Sequence, residues 1–480
     1  MGRIRRILIV ALVLMLVVAG AGAALWATAL GGLRAPIASR VADAVSIEAI
    51  MADLATLQRI TDENDGIRAA GTPGELRAAE FVAAELRAAG YDVRMDVFNV
   101  PYFHETGRGI VSIGTQHFRS GTDFRAMIFS PAGAISGTLV PVDFDSEAPP
   151  DRVRGVGCQR GDFDGVPQGV ILLAQGGGCA ARDIVDNAVD AGAIGLVISY
   201  PGWRTDAVRR PTLRNPDVPI PVIGATHRMG VALVEALAAD PDQELVIWSP
   251  TEIVNRPTAN VIANTPGGDP EHVVMLGAHL DSVIDGPGLN DNGSGAMAVL
   301  EVARRLIAAG PERKVRVALW TGEEIGLYGS LRYLRGTQQS AHDAIDVYMN
   351  FDMLGSVNGG RIIYDEDGAA RGSDRVADAF RDYLSSQELP WISEDLGGGS
   401  DHYGFQINGI PTGGLFSGAS EPVGLEEADH FGIHAGEPHD PCYHFTCDQL
   451  DNVDPELLAE MARAAGYVAG QFASGELTAR

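Results

Sequence analysis

Apolar positions in residues 46–90 recur three and four apart. Ile47, Ile50, Leu54, Leu57 and Ile60 share one helical face, which predicts an amphipathic helix. The turn-rich run DGIRAAGTPGE separates it from a second helix over 75–89, which Gly90 closes as a C-terminal cap. The period then drops to two. In YDVRMDVF, residues 91–98, apolar and polar positions alternate as in a half-buried strand. Between 120 and 250 the character changes. The short apolar runs GVILLAQ and GLVISY flank a helix-like stretch at 181–191, and prolines and glycines punctuate the rest. This reads as a small β-rich unit with one or two helices. From Asn260 onward the strand-like runs HVVMLGAHL, KVRVALW and DVYMNFDML alternate with helical stretches such as 295–309. Such alternation predicts an α/β fold, a mostly parallel sheet sandwiched by helices. The unit at 120–250 is then an insertion between 46–119 and 251–480.

A length of 480 residues exceeds one ordinary core and agrees with that division into domains. Residues 1–35 carry a different signal. Arg3, Arg5 and Arg6 precede an uncharged stretch from Ile7 to Leu33, the pattern of an export signal. Ala21-Gly22-Ala23 and Ala27-Thr28-Ala29 fit cleavage, while the apolar run is also long enough to serve as a retained signal anchor. Both readings place the rest of the chain outside the cytoplasm, secreted or held at the membrane by this segment alone. Four cysteines allow three pairings, of which Cys158–Cys179 and Cys442–Cys447 are the local and simplest. Disulfides fit an exported protein. A net charge of −27 lacks the basic footprint a phosphate backbone needs, so nucleic acid is not an expected partner.

The candidate chemistry lies in five pieces: GAHLDSV (277–283), Asp291 in GLNDNGSG, Glu323-Glu324, Asp352 in NFDM, and His444. Each alone has an ordinary reading, as a capping aspartate, a glycine-rich turn, an acidic pair at a helix start or a turn former. Together they supply two imidazoles and several carboxylates, the donor set of a hydrolytic site with two metal ions. His279 and Asp281 are two apart on an extended segment and point to one side. One can bind metal while the other holds its imidazole or orients the site. His279, Glu323-Glu324 and Asp352 each fall at or just after a predicted strand end, where open α/β sheets place ligands. One glutamate of the adjacent pair can bind metal while the other works as general base. Spacing alone does not choose among His402, His430, His434, His439 and His444.

The motifs NVIA, GAHLDSV, GPGLNDNGSG, TGEEIGLYGS, NFDMLG, SDHYGF, GIPTGGLFSGASE and DPCYHFTCDQLDNVD resemble the M28 family of zinc aminopeptidases, across residues 50–118 and 252–475. The insertion resembles a protease-associated (PA) domain. The resemblance implies a phosphorylase/hydrolase-like zinc-peptidase fold. It also implies two zinc ions per chain, one on His279 and Asp352 and one on Glu324 and His444, bridged by Asp291. A structural calcium ion is a further cation the resemblance allows. Glu323 is then the general base and Tyr443 a stabiliser of the tetrahedral intermediate, with Asp281 and Asp401 in support. The expected substrates are peptides with a free amino terminus. The chain departs from the secreted members that carry an arginine before the SDH-like motif: Gly397-Gly398-Gly399-Ser400 stands there instead. Two rivals remain at this stage. One is another M28-like activity, carboxypeptidase or glutaminyl cyclase; the other is a metal-free binding ectodomain.

Overall fold

The computed structural model describes residues 35–146, 156–200, 208–365 and 368–479. The expected export segment, up to residue 34, lies outside them. Among the described residues no helix is long and apolar enough to cross a membrane.

Three helices open the described residues: α1 (Ile37–Ala44), α2 (Ile47–Asp62) and α3 (Pro73–Ala89). Ser46 and Thr72 cap α2 and α3 by accepting the backbone N–H of Ala49 and Glu75. Gly90 ends α3 at φ +102°, a conformation that favours glycine. The short α1 is not visible in the pattern, since eight residues give too few turns for a periodicity. β1 (Asp92–Glu105) runs beyond the expected end at 98 and through Pro101. It is an edge strand, where a missing N–H is tolerated.

The chain then builds a second sheet: β2 (Ile110–Ile113), β3 (Gln116–Arg119), β4 (Phe124–Ala126), β5 (Gly133–Pro141), β6 (Ile171–Gln175), β7 (Gly195–Tyr200), β8 (Val222–Thr226) and β9 (Glu244–Ser249). The helices α4 (Ala181–Asp190) and α5 (His227–Ala239) pack on it. The order is β3-β2-β9-β5-β6-β7-β8-β4. The sequence reading placed residues 110–119 with the first unit, but β2 pairs with β9 and so joins the second sheet. Local pattern marks a strand without saying which sheet it enters; that is decided by a partner far along the chain.

The first sheet resumes with β10 (Thr251–Asn264), which lies antiparallel to β1 from Asp92↔Asn264 to Glu105↔Thr251. The insertion therefore leaves and returns through adjoining ends of one strand pair. Next come β11 (Asp269–His279), α6 (Gly295–Ala309), β12 (Arg313–Trp320), α7 (Tyr328–Gly336), α8 (Gln339–Asp343) and β13 (Ile345–Asp352). They are followed by β14 (Ile362–Tyr364), α9 (Ser373–Ser386), β15 (Ile392–Glu394), α10 (His402–Ile407), β16 (Thr412–Phe416), α11 (Leu425–Phe431) and α12 (Pro455–Ala473). The order is β1-β10-β12-β11-β13-β16-β14-β15, with the central β12, β11, β13 and β16 mutually parallel. Alternation along β11 divides the core. Val274, Leu276 and Ala278 pack with α1, α2, α3, α6 and α12, whereas Val273 and Met275 join Trp320, Tyr348 and Phe405 on the opposite face.

The two units meet through buried charge. Arg125 and Arg210 of the insertion face Glu105 at the end of β1 and Asp285 in the loop after β11. Arg125 Nη2 lies 2.8 Å from Glu105 Oε2, and Arg210 pairs with both oxygens of Asp285. The guanidinium of Arg210 first among these charges holds the Asp285 carboxyl below the usual range, against its burial. Removing one partner of such a pair leaves the other desolvated and unmatched. Arg210→Ala is expected to cost about 3 kcal/mol in denaturant unfolding. A change within experimental error would show that these contacts do not hold the units together.

Candidate metal centre

β12, β11 and β13 are adjacent and parallel, so their carboxyl ends deliver side chains to one edge. His279 is the last residue of β11 and Asp352 the last of β13. Glu323 and Glu324 follow β12 by a short turn. Asp291 comes from the tight turn 289–294 that opens α6, and His444 from the segment closed by Cys442–Cys447. Both local disulfides are present.

His279, Asp291, Glu324, Asp352 and His444 converge. His279 Nε2 lies 3.3 Å from Asp352 Oδ1 and 3.4 Å from Asp291 Oδ1. His444 Nε2 lies 3.1 Å from Asp291 Oδ2 and 3.2 Å from Glu324 Oε2. The two oxygens of Asp291 are thus divided between two histidine–carboxylate pairs. Ligand atoms of His279, Asp291 and Glu324 all lie within 4.8 Å of one another. Asp291 Oδ2, Glu324 Oε1 and Asp352 Oδ1 are buried and accept no hydrogen bond. Buried acceptors without donors, on carboxylates beside two imidazoles, fit a pair of divalent cations of the zinc type.

The other histidines are engaged elsewhere. His439 Nε2 contacts Glu427 Oε1 at 2.7 Å, and His430 Nε2 contacts the Trp391 carbonyl at 3.1 Å. His402 packs edge-on against Tyr364, and His434 is placed by its backbone N–H, which donates to Asn358. Spacing left these four in competition with His444, which the resemblance chose and which lies beside Asp291 and Glu324.

Several supports fix these side chains. Asp281 accepts the backbone N–H of Glu323 (3.2 Å) and of Glu324 (3.4 Å), so its carboxylate orients the glutamate pair. The imidazole of His279 meets the Asp281 carbonyl through Nδ1 at 3.1 Å, with the carboxylate farther off at 3.7 Å. Asp401 accepts from Ser330, and its neighbour Ser400 donates to Asp352 Oδ2 at 2.6 Å. Three supports escaped the sequence reading. Asp448 accepts the N–H of Asn290 (2.8 Å) and Asp291 (3.0 Å), and Asp440 accepts from the Asn290 side chain at 2.7 Å. Arg68, wholly buried, donates to the carbonyls of Leu280, Pro287 and Gly288. Its only sequence signal was an arginine inside a turn-rich apolar run.

Burial and mutual charge set the protonation of the cluster without metal. Burial lifts the Glu323 carboxyl well above its usual range, and Glu324, Asp352 and Asp401 add to it. Burial and Asp291 lift Glu324 to about 7. Burial opposes the charge of His444, but Glu324 and Asp291 outweigh it and raise the imidazole to about 10. His279 is raised in the same way, against burial, by Asp352 and Glu323. Burial and the nearby carboxylates keep the Tyr443 hydroxyl protonated, and its ring stacks on His444 at 3.8 Å between centroids.

The chain resembles known proteins at two levels. The model for peptidase family M28 matches residues 260–469, and that for the PA domain matches 135–233. An aminopeptidase of Pseudomonas aeruginosa is 36% identical over 430 residues, covering 86% of this chain and 78% of its own length. A probable lipoprotein aminopeptidase, LpqL, of Mycobacterium tuberculosis is 36% identical over 459 residues, 92% of this chain and 88% of that one. Among solved structures, the aminopeptidase from Aneurinibacillus sp. strain AM-1 superposes with a TM-score of 0.71 at 25% identity, covering 91% and 96%. BSAP, a zinc aminopeptidase from Bacillus subtilis, shares the fold with a TM-score of 0.67 at 22% identity, covering 88% and 94%.

Two outcomes are expected from the centre. A metal-binding imidazole must be neutral, so zinc uptake by the metal-free protein should release protons and weaken as pH falls. Titration calorimetry at pH near 7.5 in two buffers of different ionisation enthalpy reads this directly; equal heats would reject it. The folded His444 pKa of about 10 lies above the ordinary 6.5, so its stabilising charge is fully present below 6.5 and is lost as pH rises toward 10. The melting temperature of the metal-free protein should therefore fall over that window. The second outcome concerns Cys442–Cys447, which flanks Tyr443 and His444. So small a loop gains little from cross-linking, whereas ligand placement tolerates little error. Cys442→Ser/Cys447→Ser should lower zinc affinity more than the melting temperature of the zinc-free protein; unchanged affinity would make the bridge a mere surface staple.

Proposed function

Since the chain belongs to peptidase family M28 and carries an inserted PA domain, we propose that it is an exported aminopeptidase working with two zinc ions. The observation that carries this reading is the division of the Asp291 oxygens between His279 with Asp352 and His444 with Glu324. His279 and Asp352 would hold one ion and Glu324 and His444 the other, with Asp291 shared between them. When bound, the two ions supply Lewis acidity, which polarises a carbonyl and makes a water acidic near neutral pH.

Glu323 lies beside these ligands. In the proposed reaction its carboxylate takes a proton from the attacking water and passes it to the leaving amine. Its buried setting favours the protonated form once the proton has arrived. Tyr443 keeps its hydroxyl proton and donates a hydrogen bond to the developing oxyanion. Asp352, braced by Ser400, and Glu323 receive the free amino group of the substrate. A cavity of about 500 Å³ leads to these side chains. Location outside the cytoplasm is supported by the arginine-led apolar segment at the N-terminus and by the two disulfides. That terminal segment is the one proposed contact with a membrane.

The test uses leucyl-4-nitroanilide, its N-acetylated form and elemental analysis. The unblocked substrate should be cleaved, chelation should abolish cleavage, and zinc should restore it at two ions per chain. Cleavage of the blocked form alone, or one tightly held zinc with no effect of Asp291→Ala, would reject the reading. Glu323→Gln should retain zinc while kcat falls by about 10²–10⁴-fold, the range lost with a general base. Normal turnover in that variant would remove Glu323 from the mechanism.

A further inference from the structure

The cavity that holds the metal ligands carries a second set of carboxylates. Glu394 at the end of β15, Glu421 in the loop after β16 and Glu427 in α11 line it together with His439. Glu394 and Glu421 are exposed and Glu427 is half-buried, whereas Asp291, Glu324 and Asp352 are buried. The second set therefore marks the outer part of the cavity. Glu394 feels the other two: desolvation, then Glu427 and Glu421, raise its carboxyl above the ordinary range, against His439. His439 touches Glu427 at 2.7 Å. Among the described residues no arginine or lysine lines this cavity.

Charge counting separates the inner and outer sets. Asp291, Glu323, Glu324 and Asp352 offer as many negative charges as two divalent ions offer positive ones. Glu394, Glu421 and Glu427 face a single imidazole, so negative charge remains even with His439 protonated. Like charges gathered in a partly buried cavity are unfavourable until a cation joins them. The same cavity has apolar walls from Ile362, Leu396, Phe416 and Ala419. A cation on an aliphatic stem matches both features, with the stem on the apolar wall and the head on the carboxylates.

We propose that Glu394, Glu421 and Glu427 select peptides whose first residue has a cationic side chain, arginine or lysine. The proposal rests on the aminopeptidase reading above and adds its substrate class. The competing role for these glutamates is to hold the α-ammonium group that every unblocked peptide carries. That role moves all substrates together, whereas side-chain selection moves only the cationic ones.

The experiment compares arginyl-, citrullyl- and leucyl-4-nitroanilide and the dipeptide Leu-Arg on the zinc-loaded full chain. Citrulline keeps the shape of arginine without its charge. Arginyl substrate should exceed citrullyl in kcat/KM by about tenfold or more, the scale of one hydrogen bond to a charged group. The difference should lie mainly in KM and shrink with added salt. In Glu394→Gln/Glu421→Gln the arginyl-to-citrullyl ratio should fall toward one, with zinc content and melting temperature checked alongside. Should the double variant misfold, single Glu394→Gln carries the same ratio test. Equal rates for arginyl and citrullyl substrates in the unaltered protein overturn the proposal. So does a ratio unmoved by the variants, or a gain from arginine only at the second position of the dipeptide. Cleavage of leucyl but not arginyl substrate rejects the selectivity while leaving the aminopeptidase reading in place. Cleavage of none of them rejects that reading and the selectivity with it.

Discussion

Carboxylates crowded at the ends of β11, β12 and β13 cannot all stay ionised without cations among them. Asp291, Glu323, Glu324 and Asp352 share one space in which His279 and His444 are the cationic partners found among the described residues. Without metal the imbalance is met by protonation: the imidazoles hold protons far above their ordinary range, and Glu324 and Glu323 are pushed toward the acid form. The surrounding structure makes sense as the means of keeping these groups together in spite of that repulsion. A fold that relaxed by a small amount would let the carboxylates part and lose the arrangement.

The restraint is built from backbone groups aimed at supporting carboxylates. Asp281 accepts from the turn that carries Glu323 and Glu324, and Asp448 accepts from the turn that carries Asp291. Arg68 gathers three carbonyls from the loops after β11, and its buried charge faces Asp448, Asp291 and Asp281. That loop is gripped again from the insertion by Arg125 and Arg210 through Asp285. The path from His279 to Asp291 is thus held both from within its own unit and from the neighbouring one.

Much of this was legible in the chain. Strand–helix alternation, the C-terminal cap at Gly90 and the start of α6 at Gly295 follow from local pattern. The donor set could be proposed from the chain because several acids and a histidine fall together at predicted strand ends, where open α/β sheets place ligands. Spacing alone did not separate His444 from His439, since both lie in one irregular segment; the resemblance pointed to His444, and the fold turns it toward Asp291 and His439 toward Glu427. The membership of 110–119 in the second sheet depends on pairing with β9, and the role of Arg68 on carbonyls contributed from beyond residue 279. Neither is a property of neighbouring residues. The outer glutamates are scattered over β15, a loop and α11, so their proximity has no trace in spacing.

The β1–β10 pair has a consequence for how the chain finds this fold. β1 is synthesised early, and its partner follows only after the whole insertion. Closing so long a loop from an unfolded chain loses conformational freedom that no single strand pair restores at once. Once the second sheet has formed, β2 and β9 lie side by side and bring the flanking ends at Glu105 and Thr251 into register. A folded insertion therefore turns a distant closure into a local hairpin, zipped from its tip toward Asp92 and Asn264. The unit that interrupts the catalytic sheet in sequence would then serve as the turn from which that sheet's edge grows.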